Sequence, residues 1–260
     1  MTTPISDPEK YLTEMSKGVF DKLFFAPIIE ADAIVDYGCA DGTLARAHAR
    51  MFPAIPVIGF DKDMDMIRKA RFETTERNIT YTNNWHDVER WACKYQNPAI
   101  ILSSVLHEVY SYCDNRERQQ FEEIVWYSGF KCIVIRDMMH HRSMIRASRL
   151  EDVARARQMI DEMMVDSHEE RFGSIEENVS LVHLLLKYRF KENWQREVRE
   201  DYLAVDVDRL TSSVPNYYEP IYFRHYTLPF VRRKIKEDLG IHFMDRTHVQ
   251  LIYERNINGR

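Results

Sequence analysis

The first half of the chain alternates between short apolar runs and stretches with helical periodicity, and this alternation limits the possible folds more than any other feature. Helix-like segments such as "TLARAHARMF" separate the runs. Buried runs of this kind between helices are typical of a parallel sheet that is covered on both faces. We therefore expect an α/β, doubly wound sheet. The five runs are "AIVDY", "IPVIGFD", "ITYTN", "AIILSS" and "KCIVIRD".

The rhythm breaks after the fifth predicted strand. Residues 138–226 are mostly helical in pattern, which predicts a helical lid inserted between core segments 1–137 and 227–260. Within this insertion, "PNYYEPIYFRHYTLP" predicts an extended loop or turn because it is rich in proline and aromatic residues. Next, "FVRRKIKEDLG" predicts a helix that ends at Gly240. Finally, "IHFMD" and "HVQLIYER" predict two last strands joined as a hairpin.

Composition excludes several classes of protein. With 260 residues, 45% of them hydrophobic, the chain is long enough to bury a large core. A net charge of -5 gives no case for non-specific nucleic-acid binding, which depends on lysine and arginine. The first residues lack a secretory pattern, and the apolar windows are too short to span a bilayer. The four cysteines form no CxxC pair, so we expect buried free thiols in a cytoplasmic protein without membrane association.

A glycine-containing loop follows the first predicted strand in "AIVDYGCADGTLARA". Gly38 and Gly42 allow a tight turn and a close approach to a ligand, and parallel sheets bind ligands at the carboxyl ends of their strands. Asp61 ends the second strand about 20 residues later, where a carboxylate can accept both ribose hydroxyls. The alternative for Asp61 is a helix N-cap. Ala40 rules out the G-x-G-x-x-G dinucleotide pattern.

The segment "DYGCADG" resembles motif I, D-x-G-x-x-x-G, of the class I methyltransferases that use S-adenosylmethionine (SAM). The resemblance extends to "GFDKD", "TNNWHDV" and "AIILSSVLHEV", and covers about residues 30–138. It implies a Rossmann-like sheet of seven mostly parallel strands, in which the last strand is antiparallel and lies between strands five and six. It also implies SAM as the cofactor.

The resemblance further implies a set of cofactor contacts at the ends of the first four strands and on an N-terminal helix over the cofactor. For Trp85 the alternative is a core position, and the N-terminal helix is as consistent with packing on the sheet alone. The implied contacts are Asp36, Gly38, Cys39, Ala40 and Gly42 at the amino-acid part of SAM, Asp61 at the ribose, Lys62, Asn84 and Trp85 at the adenine, Ser103 and Ser104 beside the methyl group, and Tyr11 and Lys17 on the helix.

The segment "SSVLHEVYSY" after the fourth strand is where we expect the chemistry. His107 has a pKa range that suits a base near neutral pH, and the alternative is a structural histidine. Glu108 is the second catalytic candidate, with a structural role as its alternative. Methyltransferases that act on exocyclic amines of bases usually carry Asn or Asp followed by Pro-Pro here, and those that act on cytosine C5 use a Pro-Cys pair. The chain has neither pattern.

The segment "RDMMHH" ends the fifth strand near the same site. We expect Arg136, Asp137 and His140 to face the substrate. Adjacent histidines on a helix point apart and magnesium prefers carboxylates, so we expect no metal.

These observations predict transfer of a methyl group from SAM to an oxygen or nitrogen of a small or medium-sized acceptor. The alternatives are an RNA or DNA methyltransferase of another type, or a non-catalytic SAM-binding module. Between Glu151 and Glu219 the chain carries 9 basic and 16 acidic residues, which argues against a general phosphate-binding surface. The aromatic-rich lid is compatible with a monomer or a homodimer.

Overall fold

The protein folds around one seven-stranded sheet with the strand order β3-β2-β1-β4-β5-β7-β6. The computed structural model describes residues 19–256. The first five strands pair in parallel, and β7 lies antiparallel between β5 and β6. This order confirms the predicted fold class. The strands are β1 (Ala33–Tyr37), β2 (Val57–Phe60), β3 (Ile79–Thr82), β4 (Pro98–Ser103), β5 (Cys132–Met138), β6 (Tyr218–Tyr226) and β7 (His248–Arg255).

Helices follow the strands as the apolar periodicity predicts. The central strands β1, β4 and most of β5 are buried on both faces, which explains why they read as continuous apolar runs. The helices before the insertion are α1 (Val19–Lys22), α2 (Thr43–Met51), α3 (Met64–Glu73), α4 (Trp85–Ala92), α5 (Leu106–Tyr112) and α6 (Asn115–Tyr127).

The segment between β5 and β6 is helical and has a hydrophobic cluster of its own. This cluster includes Val153, Met164 and Leu184, and α12 (Pro229–Leu239) packs into it through Ile235. The end of the segment packs instead on the sheet cluster through Val207 and Leu210. The division into core and lid domains stays a prediction. The helices of the segment are α7 (Leu150–Met159), α8 (Glu162–Phe172), α9 (Asn178–Lys187), α10 (Trp194–Glu197) and α11 (Val207–Ser213), with 3₁₀ turns at Arg142–Met144 and Lys191–Asn193.

The predicted ending of the sheet is wrong in two respects. Residues 218–226, which we expected to form a loop, form the edge strand β6, and residues 241–245 form no strand. Pro220 is tolerated in β6 because an edge strand does not need every N–H for pairing, and a bulge separates Pro220 from Tyr222. The alternation in "IHFMD" has another cause, since Ile241 and Phe243 are buried in the cluster of the insertion.

Two local predictions have different outcomes. Gly240 has φ +66° and ends α12 in the left-handed conformation, as predicted. All four cysteines are free, and Cys39 and Cys132 are buried, but Cys113 is only half-buried and the prediction of burial is wrong for Cys93. Cys93 is exposed because it follows the last turn of α4 at the surface. In the described part of the chain, no helix is long and apolar enough to cross a bilayer.

Candidate active site

The loop after β1 is held in a conformation that requires glycine at two positions. Gly38 has φ +72° and Gly42 has φ +78°, both in the left-handed region. A Cβ atom at Gly38 would lie 2.9 Å from a methyl group of Val105, and one at Gly42 would lie 2.6 Å from the hydroxyl of Tyr81. Ala40 between them adopts φ +45°. The loop is therefore a rigid cradle with no side chain at its two tightest points.

Asp61 at the end of β2 holds the loop after β1 in place through a hydrogen bond. Its Oδ2 accepts a hydrogen bond of 2.8 Å from the amide of Ala40, and its Oδ1 accepts one of 2.8 Å from the amide of Asp63. Asp63 caps α3, so the N-cap alternative for Asp61 does not hold. Burial raises the pKa of Asp61, while the two amides act in the opposite direction. Lys62 beside it is exposed.

Asp36 at the end of β1 is buried with an unmet hydrogen-bonding atom. The residue is 2% exposed, and its Oδ2 has no hydrogen-bond partner among the described residues. Burial raises the pKa of Asp36 to about 7, opposed by the ammonium of Lys22 and reinforced by Asp61. The positive charge of Lys22 on α1 thus favours the ionised form of Asp36. The Oδ2 atom of this carboxylate can still accept a hydrogen bond from a ligand.

Arg136 anchors α1 on the sheet. Its Nε donates a hydrogen bond of 2.8 Å to Oδ2 of Asp21, and the hydroxyl of Tyr226 donates one of 2.6 Å to the same oxygen. The side-chain Nε2 of Gln250 donates a hydrogen bond of 2.9 Å to the backbone carbonyl of Asp21. This buried ion pair fixes the position of Lys22. We predicted that Arg136 faces a substrate, but its guanidinium is paired with the carboxylate of Asp21.

The two serines at the end of β4 differ in their surroundings. Ser103 is buried, in register with Arg136, and its hydroxyl has no partner among the described residues. Ser104 adopts φ +60°, and its amide donates a hydrogen bond of 2.8 Å to the carbonyl of Arg136. A left-handed conformation at a non-glycine residue is typical of a functional loop.

Asn84 and Trp85 have local structural roles. The side chain of Asn84 caps α4 by accepting a hydrogen bond of 3.2 Å from the amide of His86. The indole ring of Trp85 packs 5.4 Å from the ring of Phe60 and 5.7 Å from that of Tyr37. These contacts favour the core alternative for Trp85.

His107 lies between two buried carboxylates. Its Nδ1 is hydrogen-bonded to Oδ1 of Asp137, and its Nε2 lies 3.0 Å from Oε1 of Glu200. Burial by itself would lower the pKa of His107, but the two carboxylates outweigh it and raise the pKa to about 10. His107 is therefore protonated at neutral pH with a partner on each nitrogen. This geometry favours the structural alternative, and the catalytic role of His107 stays a prediction.

Glu108 is an exposed residue next to this pair. Its carboxylate lies within 4.8 Å of the interacting atoms of His107 and Glu200. The surrounding protein nevertheless desolvates its carboxylate. Desolvation and the charge of Glu200 raise the pKa of Glu108 to about 7, against the opposing effects of His107 and Arg196. A carboxylate of this kind can accept a proton near neutral pH.

The end of the insertion is fastened to the core around this site. The Nδ1 of His140 lies 2.7 Å from the carbonyl of Leu203, and its Nε2 lies 3.2 Å from Asp206. The amide of Asp201 donates a hydrogen bond of 2.7 Å to the hydroxyl of Ser111 on α5. His140, expected to face a substrate, therefore holds the insertion. Asp137 is fully buried beneath His107.

Sequence reasoning missed Lys22 and Glu200. Glu200 is some 90 residues away from α5 in a segment without a motif, and only its contact with His107 reveals it. Lys22 lies in the helix that we expected to cover the cofactor, but the contacts predicted on that helix were Tyr11 and Lys17. Those two residues lie outside the described part of the chain.

Comparison with known proteins agrees with this architecture. No family model matches the chain. A trans-aconitate 2-methyltransferase from Mycobacterium marinum is 30% identical over 111 residues, which are 42% of this chain and 40% of that protein. One from Afipia carboxidovorans is 32% identical over 77 residues, 30% of each chain. The match thus spans less than half the length of these curated relatives.

A solved structure supports the fold over the whole chain. The SAM-dependent methyltransferase from Anabaena variabilis aligns with 98% of this chain and 97% of its own, with a TM-score of 0.51 and 12% sequence identity. Together with the strand order, this likeness confirms the class I methyltransferase fold.

A Gly42→Ala substitution should destabilise the protein more than Gly240→Ala does. Both glycines are left-handed, with φ +78° and +66°, so both variants lose about 1–2 kcal/mol from backbone strain. At Gly240 the new Cβ meets only the mobile tip of Arg155, whereas at Gly42 it meets the ring of Tyr81, which is buried. Chemical denaturation measures the difference, and equal losses would show that the loop has room for a side chain.

The stability contributed by the protonated state of His107 should decline as the pH rises. Its folded pKa of about 10 lies above the ordinary histidine pKa of 6.5, so this contribution is complete below pH 6.5 and is lost as the pH approaches 10. The difference in the free energy of unfolding between wild type and His107→Gln should therefore shrink over this window.

Urea denaturation at pH values of about 6 and 9.5 measures this change. The matched control is His86→Gln, because His86 pairs with Glu89 at the surface and its side chain is 84% exposed. This control should differ little from wild type at either pH. A His107 difference that is constant across the range would contradict a charged His107.

Proposed function

We propose that this chain is a SAM-dependent methyltransferase that acts on an oxygen or nitrogen of a small or medium-sized acceptor. The fold and the partial similarity to curated methyltransferases support this proposal. The observation that carries it is Asp36, a buried carboxylate with an unpartnered oxygen beside a glycine cradle at the carboxyl edge of the sheet. A buried acceptor of this kind needs a donor, and a ligand ammonium supplies one.

The residues around the cradle suit the parts of SAM. Asp36 would receive the α-ammonium of the methionyl part, and Lys22 would approach its α-carboxylate. Gly38 and Gly42 leave space for the chain of the ligand. Asp61 would accept the ribose hydroxyls, because each carboxylate oxygen has a second lone pair besides the one that meets an amide. When bound, SAM supplies a methyl group activated by a sulfonium.

The contribution of this chain would be alignment, exclusion of water and removal of one proton. Holding the acceptor in line with the methyl group supplies most of the rate enhancement. The insertion would exclude water from the site. Glu108 would take the proton from the acceptor oxygen or nitrogen, because it is an exposed residue whose pKa is raised to about 7. His107 holds its neighbours in place, since both of its nitrogens are engaged.

The observations on the acceptor favour a small molecule. The curated relatives are trans-aconitate 2-methyltransferases, which makes trans-aconitate the first acceptor to test. A nucleic-acid substrate gains no support from the charge, which is -5 for the whole chain.

An Asp61→Asn variant should bind S-adenosylhomocysteine more weakly than wild type by at least about tenfold, because hydrogen bonds to a charged group contribute about 1.5–3 kcal/mol. An amide has a single acceptor oxygen and cannot serve the loop amide and two hydroxyls together. Isothermal titration calorimetry measures the affinity. The matched control is Asp63→Asn, which keeps the helix cap and should bind normally. No binding by the wild type would overturn the proposed function.

A Glu108→Gln variant should lose turnover by about 10²–10⁴-fold while it binds S-adenosylhomocysteine like wild type, because positioned proton transfer contributes a factor of this size. Release of S-adenosylhomocysteine is measured with trans-aconitate and then with a panel of small alcohols, carboxylates and amines. Unchanged turnover would remove Glu108 from the mechanism.

A further inference from the structure

We propose that Glu200 is a positioning residue that makes Glu108 a competent proton acceptor, so that the acid–base group of this site is assembled from the core and the insertion together. The inference rests on the proposed function, because it concerns the same proton transfer. Glu200 itself need not touch the acceptor.

Glu200 reaches the site from the insertion and is buried there. The residue is 3% exposed, although it lies next to the exposed Glu108. Its Oε1 lies 3.0 Å from the Nε2 of His107, and the hydroxyl of Tyr112 donates a hydrogen bond of 3.4 Å to its Oε2. The guanidinium of Arg196 lies 4.0 Å from the same oxygen. The carboxylate is thus held in one orientation by groups from both parts of the chain.

A buried lysine holds the backbone of Glu200. Lys187 on α9 is fully buried, and its ammonium donates hydrogen bonds to the carbonyls of Glu197 (2.6 Å) and Glu200. The ammonium also lies 4.7 Å from the ring of Phe172 and 4.8 Å from that of Tyr202. Carbonyls at a helix end attract a cation. Contacts within the insertion therefore hold the segment that carries Glu200, in addition to its contacts with α5.

Glu200 also changes the electrostatic environment of Glu108. The charged groups that act on Glu108 are His107 on α5, Asp137 on β5, and Glu200 and Arg196 on the insertion. Two carboxylates this close disfavour the ionisation of each other. Glu200 in addition pairs with His107, whose positive charge would otherwise stabilise the ionised form of Glu108. Both effects make Glu108 hold a proton more tightly.

Nuclear magnetic resonance of protein with ¹³C-labelled glutamate carboxyls tests the inference without an acceptor. Glu108→Gln assigns the Glu108 resonance by its disappearance. The wild-type Glu108 should titrate near pH 7. In Glu200→Gln, which keeps the size of the side chain and an acceptor for His107, this pKa should fall by about one unit.

Two further variants separate charge from structure. Glu200→Asp keeps the negative charge and should keep the pKa of Glu108 raised. Glu170→Gln removes an exposed glutamate of the same insertion and should leave Glu108 unchanged. Unchanged titration in Glu200→Gln, or an equal fall in Glu170→Gln, would overturn the inference. If Glu200→Gln fails to fold, Glu200→Asp decides, because a fall to an ordinary carboxyl pKa there would also overturn it.

The same samples are titrated with EDTA and with MgCl₂, because His107, Glu108 and Glu200 place potential ligand atoms within 4.8 Å of one another. Site-specific shifts of both glutamate resonances at micromolar magnesium would show a metal site and overturn the positioning role. Calorimetry with S-adenosylhomocysteine separates the two proposals. If the wild type does not bind S-adenosylhomocysteine, the proposed function is wrong. If it binds normally but the pKa of Glu108 is the same in Glu200→Gln as in wild type, only this inference is wrong.

Discussion

The burial of one carboxylate, Asp137 at the end of β5, determines much of what surrounds it. A buried carboxylate needs several donors, because an uncompensated charge in the interior costs several kcal/mol. Its Oδ2 accepts hydrogen bonds of 2.9 and 2.7 Å from the amides of Val105 and Leu106, which begin α5. Its Oδ1 meets His107, whose other nitrogen faces Glu200. The start of α5, the orientation of the imidazole and the docking of the insertion all follow from this one charge.

The carboxyl edge of the sheet is divided by its charge. On the side of β1, Asp36 lies near the ammonium of Lys22, an arrangement that complements a zwitterionic amino acid. On the side of α5, Asp137 and Glu200 pair with the two nitrogens of one imidazole, that of His107, and Glu108 lies beside them. The glycine loop follows β1 and α5 follows β4, so the two groups of charges lie at the ends of neighbouring strands.

The sequence predicted the features that depend on local constraints. Buried strands need apolar runs, and Gly38 and Gly42 are favoured by the left-handed backbone angles of the loop itself. Sequence reasoning failed where the outcome depends on a distant partner. β6 is a strand only because β7 pairs with it, and the aromatic and proline content of its sequence indicated a loop. Glu200 is meaningful only through His107, which no spacing connects to it.

The edge strand β6 has a consequence for solubility. It ends the sheet with Ile221 and Phe223 exposed by 42% and 54%, and an open apolar edge of this kind invites other chains to add strands. Pro220 lacks the N–H that an added strand would need, and the bulge beside it breaks the regular spacing of the outer hydrogen-bonding groups. Pro220 and the bulge, which made this segment resemble a loop in the sequence, thus disfavour aggregation through the edge of the sheet.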